Sequence, residues 1–483
     1  MKIAIKGLAS TYEAEHLARV FFPDARITHD AYARGEAVIV HLTKHHLFCA
    51  VRAAGRSKGV LVPAVRCDTR ADTEFAVAKV LYRLLCDFTQ KKPAWGLLTG
   101  VRPVRIVHDL AKEGKSDADI RHVFAQQFDV SAEKSALAHS VAAVQRPVMR
   151  QSGPRSYSLY VSIPFCPSRC SYCSFVSRSV KQSKALIPAY LDKLHQELYA
   201  IADTARRNRL VLETVYIGGG TPTSISPEEL RALLHTVRDA FNIAAVREYT
   251  VEAGRPDCTT AEKLEIIKEY GATRISINPQ TLSNEVLAAI GRRHSAEDII
   301  TCYHAARKAG HDNINMDLIA GLPGDTPMGF RQSLDGVLAL SPENITVHTL
   351  TLKRASNLVV EKRAEDYADV SQMIDSLSCM PAHGYMPYYL YRQKNTLQNL
   401  ENTGFTKPGY EGLYNIFIME EVHTILSAGA GGSTKLVAPA GRIERIFNYK
   451  YPHEYLSGFD TILERKKGVD EFYARHLDSE TLG

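Results

Sequence analysis

From residue 157 onward, short apolar runs alternate along the chain with longer amphipathic runs. The apolar runs are rich in β-branched residues and predict strands, whereas the amphipathic runs have the period of helices. The predicted strands cover 158–165, 214–219, 248–253, 274–279, 313–321 and 344–350. The predicted helices cover 185–206, 227–241, 260–270, 283–291, 295–309 and 327–340. Strands and helices that alternate at this spacing predict parallel βαβ units, and six such units suit a partial α/β barrel.

The two flanks of this region have a different pattern. Residues 1–150 contain alternating runs at 37–42 and 47–54 and then a helical, Arg-rich part, which together predict an N-terminal α/β domain. The barrel core is assigned to 151–355, and 356–483 is predicted to form a smaller α+β domain that covers the substrate. The stretch 145–154, with two prolines and a glycine, is the predicted linker between the first two domains.

Composition narrows the class of protein. The chain has 483 residues, of which 45% are hydrophobic and 23% charged, the balance of a globular protein with more than one core. No apolar stretch is long enough to cross a bilayer and no signal peptide is evident, so a cytoplasmic location without a membrane span is expected. The net charge of +6 is spread along the chain without a basic block, which gives little support to nucleic-acid binding.

Three of the nine cysteines, Cys166, Cys170 and Cys173, stand together directly after the first predicted barrel strand. Because α/β barrels place their chemistry at the carboxyl ends of the strands, a site is expected in this loop. Three thiolates on one short loop can bind three irons of a [4Fe–4S] cubane and leave the fourth iron open. A zinc site is the alternative, but structural zinc prefers four ligands, and the sequence has no second Cys-x₂-Cys pair.

The spacing Cys-x₃-Cys-x₂-Cys after a strand resembles the signature of the radical S-adenosylmethionine (SAM) superfamily. The resemblance implies that the barrel is a partial (β/α)₆ TIM-like barrel with a [4Fe–4S] cluster, whose open iron is chelated by SAM. In that family an electron from the cluster cleaves SAM to methionine and a 5′-deoxyadenosyl radical, which abstracts a hydrogen atom from the substrate. A low-potential electron donor, such as a flavodoxin or a ferredoxin, is therefore expected as a partner.

Other strand ends carry residues that match SAM-contacting positions of the superfamily. The loop Gly218-Gly219-Gly220-Thr221 follows the second strand, and the resemblance assigns it to the methionine amino group; a tight turn is the alternative. Glu252 ends the third strand and resembles the glutamate that bonds the ribose, although a surface ion pair would also suit it. The remaining candidates are Tyr160, Tyr172, Gln280, Arg292 and Asp317. Tyr160 also suits an ordinary core, and Asp317 an ion pair that lines the barrel.

Motifs beyond the cysteine loop narrow the resemblance to one group. The segments Tyr160–Cys166, Gly218–Thr223 and Gly321–Gly324 look like the oxygen-independent coproporphyrinogen III dehydrogenases. Trp95–Pro103 and Tyr388–Asn395 look like the HemZ branch of that group, so the resemblance covers almost the full chain. It implies a tetrapyrrole substrate and the oxidative decarboxylation of two propionates of coproporphyrinogen III to vinyl groups, which gives protoporphyrinogen IX.

One departure from the pattern keeps other reactions open. The best-known decarboxylases carry a fourth cysteine two residues beyond the third, where this chain has Phe175. A haem chaperone branch also lacks it, but its haem-binding motif ends in Tyr-Trp, and the sole tryptophan here is Trp95. A branch that uses SAM to methylate and open haem remains a further alternative.

Several basic and aromatic residues are candidates for contacts to the tetrapyrrole. The side chains of Arg255, Arg292, Arg293 and Lys353 lie near predicted strand ends, where they either pair with substrate carboxylates or are simply solvated. The four tyrosines Tyr385, Tyr388, Tyr389 and Tyr391 suit either a stacking wall or a core. His294, Asp298 and His304 fall on a predicted helical stretch and receive no role.

Overall fold

The computed structural model describes residues 1–23, 25–28, 35–100, 102–173, 178–352, 356, 358, 369–393, 396–439 and 441–478. The chain forms two compact units. One unit comprises Met1–His139 together with Arg392–Leu400, and the other comprises Ser140–Tyr391 together with Glu401–Gly483.

The N-terminal unit contains a five-stranded sheet and four helices, of which the first two pack on one face of the sheet. Its strands are β1 (Lys2–Lys6), β2 (Arg26–Thr28), β3 (Ala37–Leu42), β4 (His46–Ala53) and β5 (Arg56–Pro63), in the spatial order β2-β1-β3-β4-β5. Its helices are α1 (Tyr12–Phe21), α2 (Arg70–Thr89), α3 (Pro103–Lys112) and α4 (Asp117–Gln126). Alternate residues of β3, such as Val38 and Val40, are fully buried with Leu81 of α2. The period of two in this strand therefore places one sheet face on the core.

The two segments that resemble the HemZ branch meet within this unit. Trp95 is buried in the turns that precede α3, and the guanidinium of Arg392 lies 5.5 Å from the centre of its ring. Arg392 also donates through Nη1 to the carbonyl oxygen of Leu98. Residues far apart in sequence thus fix one another, and the segment Arg392–Leu400 counts as part of the N-terminal unit.

The second unit is built on an eleven-stranded sheet. Its strands are β6 (Ser156–Ile163), β9 (Val211–Gly219), β10 (Glu248–Glu252), β11 (Arg274–Gln280), β12 (Ile314–Ala320), β13 (Asn344–Thr349), β14 (Met386–Arg392), β15 (Glu401–Thr406), β16 (Thr424–Ala428), β17 (Ser433–Val437) and β18 (Ile443–Phe447), with β7 (Phe165–Cys166) and β8 (Arg178–Ser179) forming a separate parallel pair.

Helices cover the sheet between these strands. They are α6 (Val180–Ser183), α7 (Ile187–Arg207), α8 (Pro227–Ala240), α9 (Ala261–Glu269), α10 (Asn284–Ala289), α11 (Ala296–Lys308), α12 (Pro327–Leu340), α13 (Val370–Asp375), α14 (Leu413–Glu420), α15 (Pro452–Ser457), α16 (Phe459–Lys466) and α17 (Gly468–Tyr473). One further helix, α5 (Ala132–Met149), precedes β6 and contains the point in the chain, after His139, where the second unit begins. Within the described ranges, no helix combines the length and the apolar character that crossing a membrane requires.

Six neighbouring strands confirm the predicted βαβ pattern. β6, β9, β10, β11, β12 and β13 lie side by side in chain order, and each is parallel to the next. Their carboxyl ends therefore share one end of the sheet, where the predicted site residues gather. Strands from the last part of the chain extend the same sheet: β15 pairs antiparallel with β13, and β16 pairs parallel with β6.

Several helices of this unit begin where the sequence supplies a cap. Ser226 and Glu229 form a capping box before α8, with Pro227 at the first helical position. Ser295 and Asp298 form the same motif before α11, so Asp298 closes a helix end and is not available as a site residue. Local side-chain bonds of this kind explain why the predicted helix starts agree with the structure to within a residue or two.

The predicted linker is only partly a linker. α5 continues to Met149 and contains Pro147, so residues 145–149 are helical. A proline inside a helix removes one backbone hydrogen bond. The helix persists here because Val148 is buried against Tyr388 and Phe417, and this tertiary packing outweighs the local cost of the proline.

Candidate active site

The cysteine loop leaves the carboxyl end of β6 and folds back on itself. Cys166 lies in β7, and the N–H of Cys173 donates to the carbonyl oxygen of Cys170 at 3.1 Å. Ser171 N donates to the carbonyl oxygen of Ile290 at 3.0 Å, which ties the loop to the end of α10. The backbone therefore holds Cys170 and Cys173 on one turn, a few residues after Cys166 in β7, before any metal is considered.

The glycine loop after β9 lies directly against the cysteine loop. Gly220 N donates to Ile163 O and Thr221 N donates to Phe165 O, both at 2.8 Å. Thr221 Oγ1 also lies 3.4 Å from Cys166 Sγ. A Cβ atom at Gly220 would stand 2.6 Å from Phe165 O and 3.0 Å from Cys166 Sγ, so this approach requires glycine.

Two buried arginines flank the middle cysteine. Arg255 Nη1 lies 3.5 Å from Cys170 Sγ and also donates to the carbonyl oxygen of Ser168. Arg292 donates to the carbonyl oxygen of Asn278 at 2.6 Å and to the hydroxyl of Tyr172 at 3.3 Å. Both guanidinium groups are thus held by the protein next to the cysteine loop.

Glu252 points into the barrel beside the glycine loop. Burial raises its pKa to about 7, with the charge of Asp317 adding to the effect and the hydrogen bond from Tyr216 opposing it. Tyr216 OH donates to Glu252 Oε1 at 2.6 Å. A Cβ at Gly218 would lie 3.1 Å from the same oxygen, so the glycine leaves one side of the carboxyl group open.

Three stacked tyrosines fill the barrel below Glu252. The ring of Tyr216 lies 6.1 Å from that of Tyr160 and 4.5 Å from that of Tyr414, with nearly parallel planes. Tyr414 belongs to α14, whose first backbone N–H groups donate to the carboxylate of Glu248. This helix end therefore satisfies the buried carboxylate of Glu248.

A second cluster of polar side chains lies in the interior, on β12 and β13. Asp317 Oδ1 accepts from Asn315 Nδ2 at 2.7 Å, and Asp317 Oδ2 lies 3.8 Å from His348 Nε2. His348 Nδ1 is in turn 3.2 Å from the hydroxyl of Tyr391. Burial acts to raise the pKa of Asp317, but the nearby His348 and the hydrogen bond from Asn315 outweigh it, and the pKa stays below its ordinary value.

Gln280 ends β11 in a conformation that residues other than glycine rarely adopt. Its φ is +69°, and the pairing with β12 shifts register between Ile277 and Gln280. Such a backbone costs on the order of 1–3 kcal/mol and persists where surrounding structure enforces it, often at functional sites. The strain coincides with the strand end where the sequence predicts a SAM contact.

Comparison with known proteins identifies the family. Residues 160–336 match the model of the radical SAM superfamily. A protein of Bacillus subtilis strain 168, named oxygen-independent coproporphyrinogen-III oxidase-like protein HemZ, is 40% identical over 402 residues, which cover 81% of this chain and 79% of that protein. The chain belongs to the radical SAM superfamily, in its HemZ-like group.

Two further similarities frame this radical SAM protein. The haem chaperone HemW of Bacillus subtilis strain 168 is 32% identical over 66% of this chain and 88% of its own length. The solved structure of coproporphyrinogen III oxidase (HemN) from Escherichia coli aligns with a TM-score of 0.52 at 22% identity, covering 66% of this chain and 72% of that one. The last similarity shows a common fold. The predicted family and fold class are confirmed, and so are the cofactors of the family, a [4Fe–4S] cluster and SAM.

The residues at the cysteine loop fit such a cluster. Three thiols lie on one loop, the missing side chain of Gly220 leaves Cys166 room, and a guanidinium faces Cys170 Sγ. A nearby cation suits a cluster held by thiolates, whose net charge is negative. Among the described residues, no three His, Cys, Asp or Glu side chains surround a point that would hold a single ion. A cubane is a different case, because each of its cysteines binds a separate iron.

The structure brings the predicted SAM residues to one end and the adjoining interior of the barrel. Tyr172 lies within the cysteine loop and Gly218–Thr221 border it, whereas Glu252 and Asp317 point into the interior. Their contacts to SAM remain predictions. Phe175, at the position of the absent fourth cysteine, lies outside the described residues.

The residues predicted to contact the substrate do not form one open surface among the described residues. Arg255 and Arg292 are engaged with the cysteine loop and its neighbours, Arg293 is exposed, and Lys353 lies outside the described residues. Tyr385, Tyr388 and Tyr389 are buried in the core, which agrees with the alternative that they are packing residues. They therefore offer no open wall for a tetrapyrrole.

Sequence reasoning missed several residues of the site. Tyr216 lies outside the predicted glycine motif. It stands two residues before Gly218 in the same strand and therefore on the same face of the sheet, which was a usable sequence signal. His348 likewise alternates inward on β13. His294 precedes α11 instead of lying within it and sits 3.7 Å from Asp257. Tyr414 had no local signal, since it reaches the barrel from a distant helix.

Proposed function

We propose that this chain is a radical SAM oxidoreductase that converts coproporphyrinogen III to protoporphyrinogen IX. Each of two propionate side chains would lose a hydrogen atom from its β-carbon, then CO₂ and one electron, and so become a vinyl group. The electron released by each propionate would pass to an acceptor. The electron that cleaves each SAM would come instead from the cluster, with a flavodoxin or ferredoxin as the low-potential donor.

The chain's own residues have separable tasks in this proposal. When bound, the cluster and SAM supply a 5′-deoxyadenosyl radical. Cys166, Cys170 and Cys173 hold the cluster. Gly218–Gly220 keep the strand end free of side chains beside it, and Thr221 places its hydroxyl next to Cys166 Sγ. Glu252 accepts hydrogen bonds from the SAM ribose hydroxyls. The stacked ring of Tyr216 fixes the Glu252 carboxyl by the 2.6 Å hydrogen bond and closes the barrel below it against water.

One observation carries the enzymatic proposal over a purely binding role. The cysteine loop, the glycine loop and the half-buried Glu252 converge at the same end of the barrel, which is the arrangement that a SAM-cleaving site needs. The 40% identity to a protein named as coproporphyrinogen-III oxidase-like supports the choice of substrate.

The test is an anaerobic assay of the reconstituted protein with SAM, a low-potential reductant and coproporphyrinogen III. Liquid chromatography with mass detection follows 5′-deoxyadenosine and the tetrapyrroles. We expect a product lighter by two CO₂ and four hydrogen atoms in total, with one 5′-deoxyadenosine per vinyl group. SAM cleavage with an unchanged porphyrinogen would refute the substrate while leaving the family intact.

A haem-binding role is the second candidate, because HemW is 32% identical over 88% of its length. Haem titration of the same preparation distinguishes the two. Tight stoichiometric haem binding without tetrapyrrole turnover would favour the chaperone role. A haem product that gains mass would instead indicate a methyltransferase.

A further inference from the structure

The Arg255 side chain is held in a single orientation by the groups around it. It is 5% exposed, and its Nε and Nη2 bind both oxygens of the Asp257 carboxylate at 2.9 and 2.7 Å. Nη2 also donates to Ser168 Oγ at 3.0 Å, and Nη1 donates to Ser168 O at 3.3 Å. Because Asp257 and Ser168 hold the forked guanidinium group in place, its Nη1 faces Cys170 Sγ at 3.5 Å.

The counter-charge of Arg255 is also held in place. Burial acts to raise the pKa of Asp257, but the nearby His294 and the hydrogen bonds and charge of Arg255 hold it well below its ordinary value. Nδ1 of His294, whose side chain is 1% exposed, lies 3.7 Å from Asp257 Oδ1. The carboxylate thus remains ionised and anchors the guanidinium against the loop.

We propose that Arg255 is a positioning residue that raises the reduction potential of the cluster by placing a cationic N–H donor beside the Cys170 sulfur. Reduction adds one negative charge to the cluster. A cation and a hydrogen bond at a ligand sulfur stabilise the reduced form more than the oxidised form, especially in a buried site. Arg255 would thereby bring the cluster within reach of a flavodoxin- or ferredoxin-class donor.

The role differs from pairing with a substrate carboxylate. Every nitrogen of the guanidinium already has a partner in Asp257, Ser168 or Cys170, so none is left for a ligand. The proposal rests on the cluster of the proposed function but not on the tetrapyrrole reaction. A change of substrate would leave it unaffected.

The experiment compares midpoint potentials of the reconstituted full-length protein by redox titration monitored with electron paramagnetic resonance, without porphyrinogen. We expect Arg255→Met to retain its iron and sulfide and to show a reduction equilibrium about tenfold less favourable, which for one electron equals about 59 mV more negative. Arg255→Lys keeps the charge but loses the fork, so its potential should lie between the two. Arg293→Met, which makes the same change at an exposed arginine, is the matched control and should titrate as wild type.

The outcomes separate the possibilities. A wild-type potential in Arg255→Met with a full cluster would overturn the proposal. Should Arg255→Met fail to load the cluster, Arg255→Lys decides. A lowered potential in the lysine variant supports the proposal, and an unchanged one shows that Arg255 only holds the loop. Failure of the porphyrinogen assay alone would leave these potentials, and this proposal, unchanged.

Discussion

The tightest contact between the glycine loop and the cysteine loop makes a strong prediction for Gly220→Ala. An added Cβ would stand 2.6 Å from Phe165 O and 3.0 Å from both Ile163 O and Cys166 Sγ. Phe165 O and Ile163 O are backbone atoms, so neither can swing away as the end of a flexible side chain would. The φ angle of Gly220 is not positive, so alanine can adopt this backbone conformation. The energetic cost of Gly220→Ala is therefore purely steric.

Relief of that overlap requires the cysteine loop to move by several tenths of an ångström. Overpacking of this kind costs about 1–3 kcal/mol. If the cysteine loop is the part that moves, the same energy weakens cluster binding about 5- to 150-fold, since each 1.4 kcal/mol changes a binding constant about tenfold. We expect Gly220→Ala to fold and to retain less iron and sulfide after anaerobic reconstitution and gel filtration.

The matched control is Gly100→Ala, where an added Cβ meets nothing within 4 Å and φ is not positive. That variant should load its cluster as the wild type does. Iron and sulfide contents of Gly220→Ala equal to those of the control would refute the steric argument. Circular dichroism of both variants checks that the loss is not general unfolding.

Three further changes test other parts of the structure. Burial raises the pKa of Glu252 from 4.5 to about 7, so the folded state favours the protonated carboxyl. This preference stabilises the folded state by about 3 kcal/mol below pH 4.5, and the stabilisation is lost as the pH rises through about 7. Thermal unfolding of SAM-free protein should show this fall in the wild type and not in Glu252→Gln. Arg392→Ala should change the emission of Trp95, the sole tryptophan, and destabilise the N-terminal unit by about 1–3 kcal/mol through a lost hydrogen bond and cation–π contact; unchanged fluorescence would contradict the contact. Glu197→Gln should cost about 3–5 kcal/mol because it leaves the buried ammonium of Lys466, now 3.0 Å from the carboxylate, without a counter-charge; an unaltered calorimetric transition would argue against the pair.

Local signals made the barrel and its cysteine loop predictable from sequence. The alternation of apolar strands and capped helices fixes β6 to β13 within a few residues, because caps such as Ser226 act over three or four positions. The spacing of Cys166, Cys170 and Cys173 identifies the loop, and the glycines after β9 identify its neighbour.

Contacts between distant segments were beyond the same reasoning. β16 pairs with β6, and Tyr414 enters the stack with Tyr216, from parts of the chain that carry no local mark of the partner. α5 likewise continues through Pro147 because of packing by Val148, which outweighs the local preference for a break. Non-local burial decides all three, and periodicity in a short window does not report it.

The central claim is that the cysteine loop holds a [4Fe–4S] cluster on which SAM binds and is cleaved. The most direct measurement is the electron paramagnetic resonance spectrum of the reduced, reconstituted protein with and without SAM, together with assay of 5′-deoxyadenosine. We predict a reduced-cluster signal that changes when SAM is added, with 5′-deoxyadenosine formed, and no cluster in Cys170→Ala, while Cys67→Ala, at an exposed position, behaves as wild type. A signal that ignores SAM, or a full cluster in Cys170→Ala, would contradict the account.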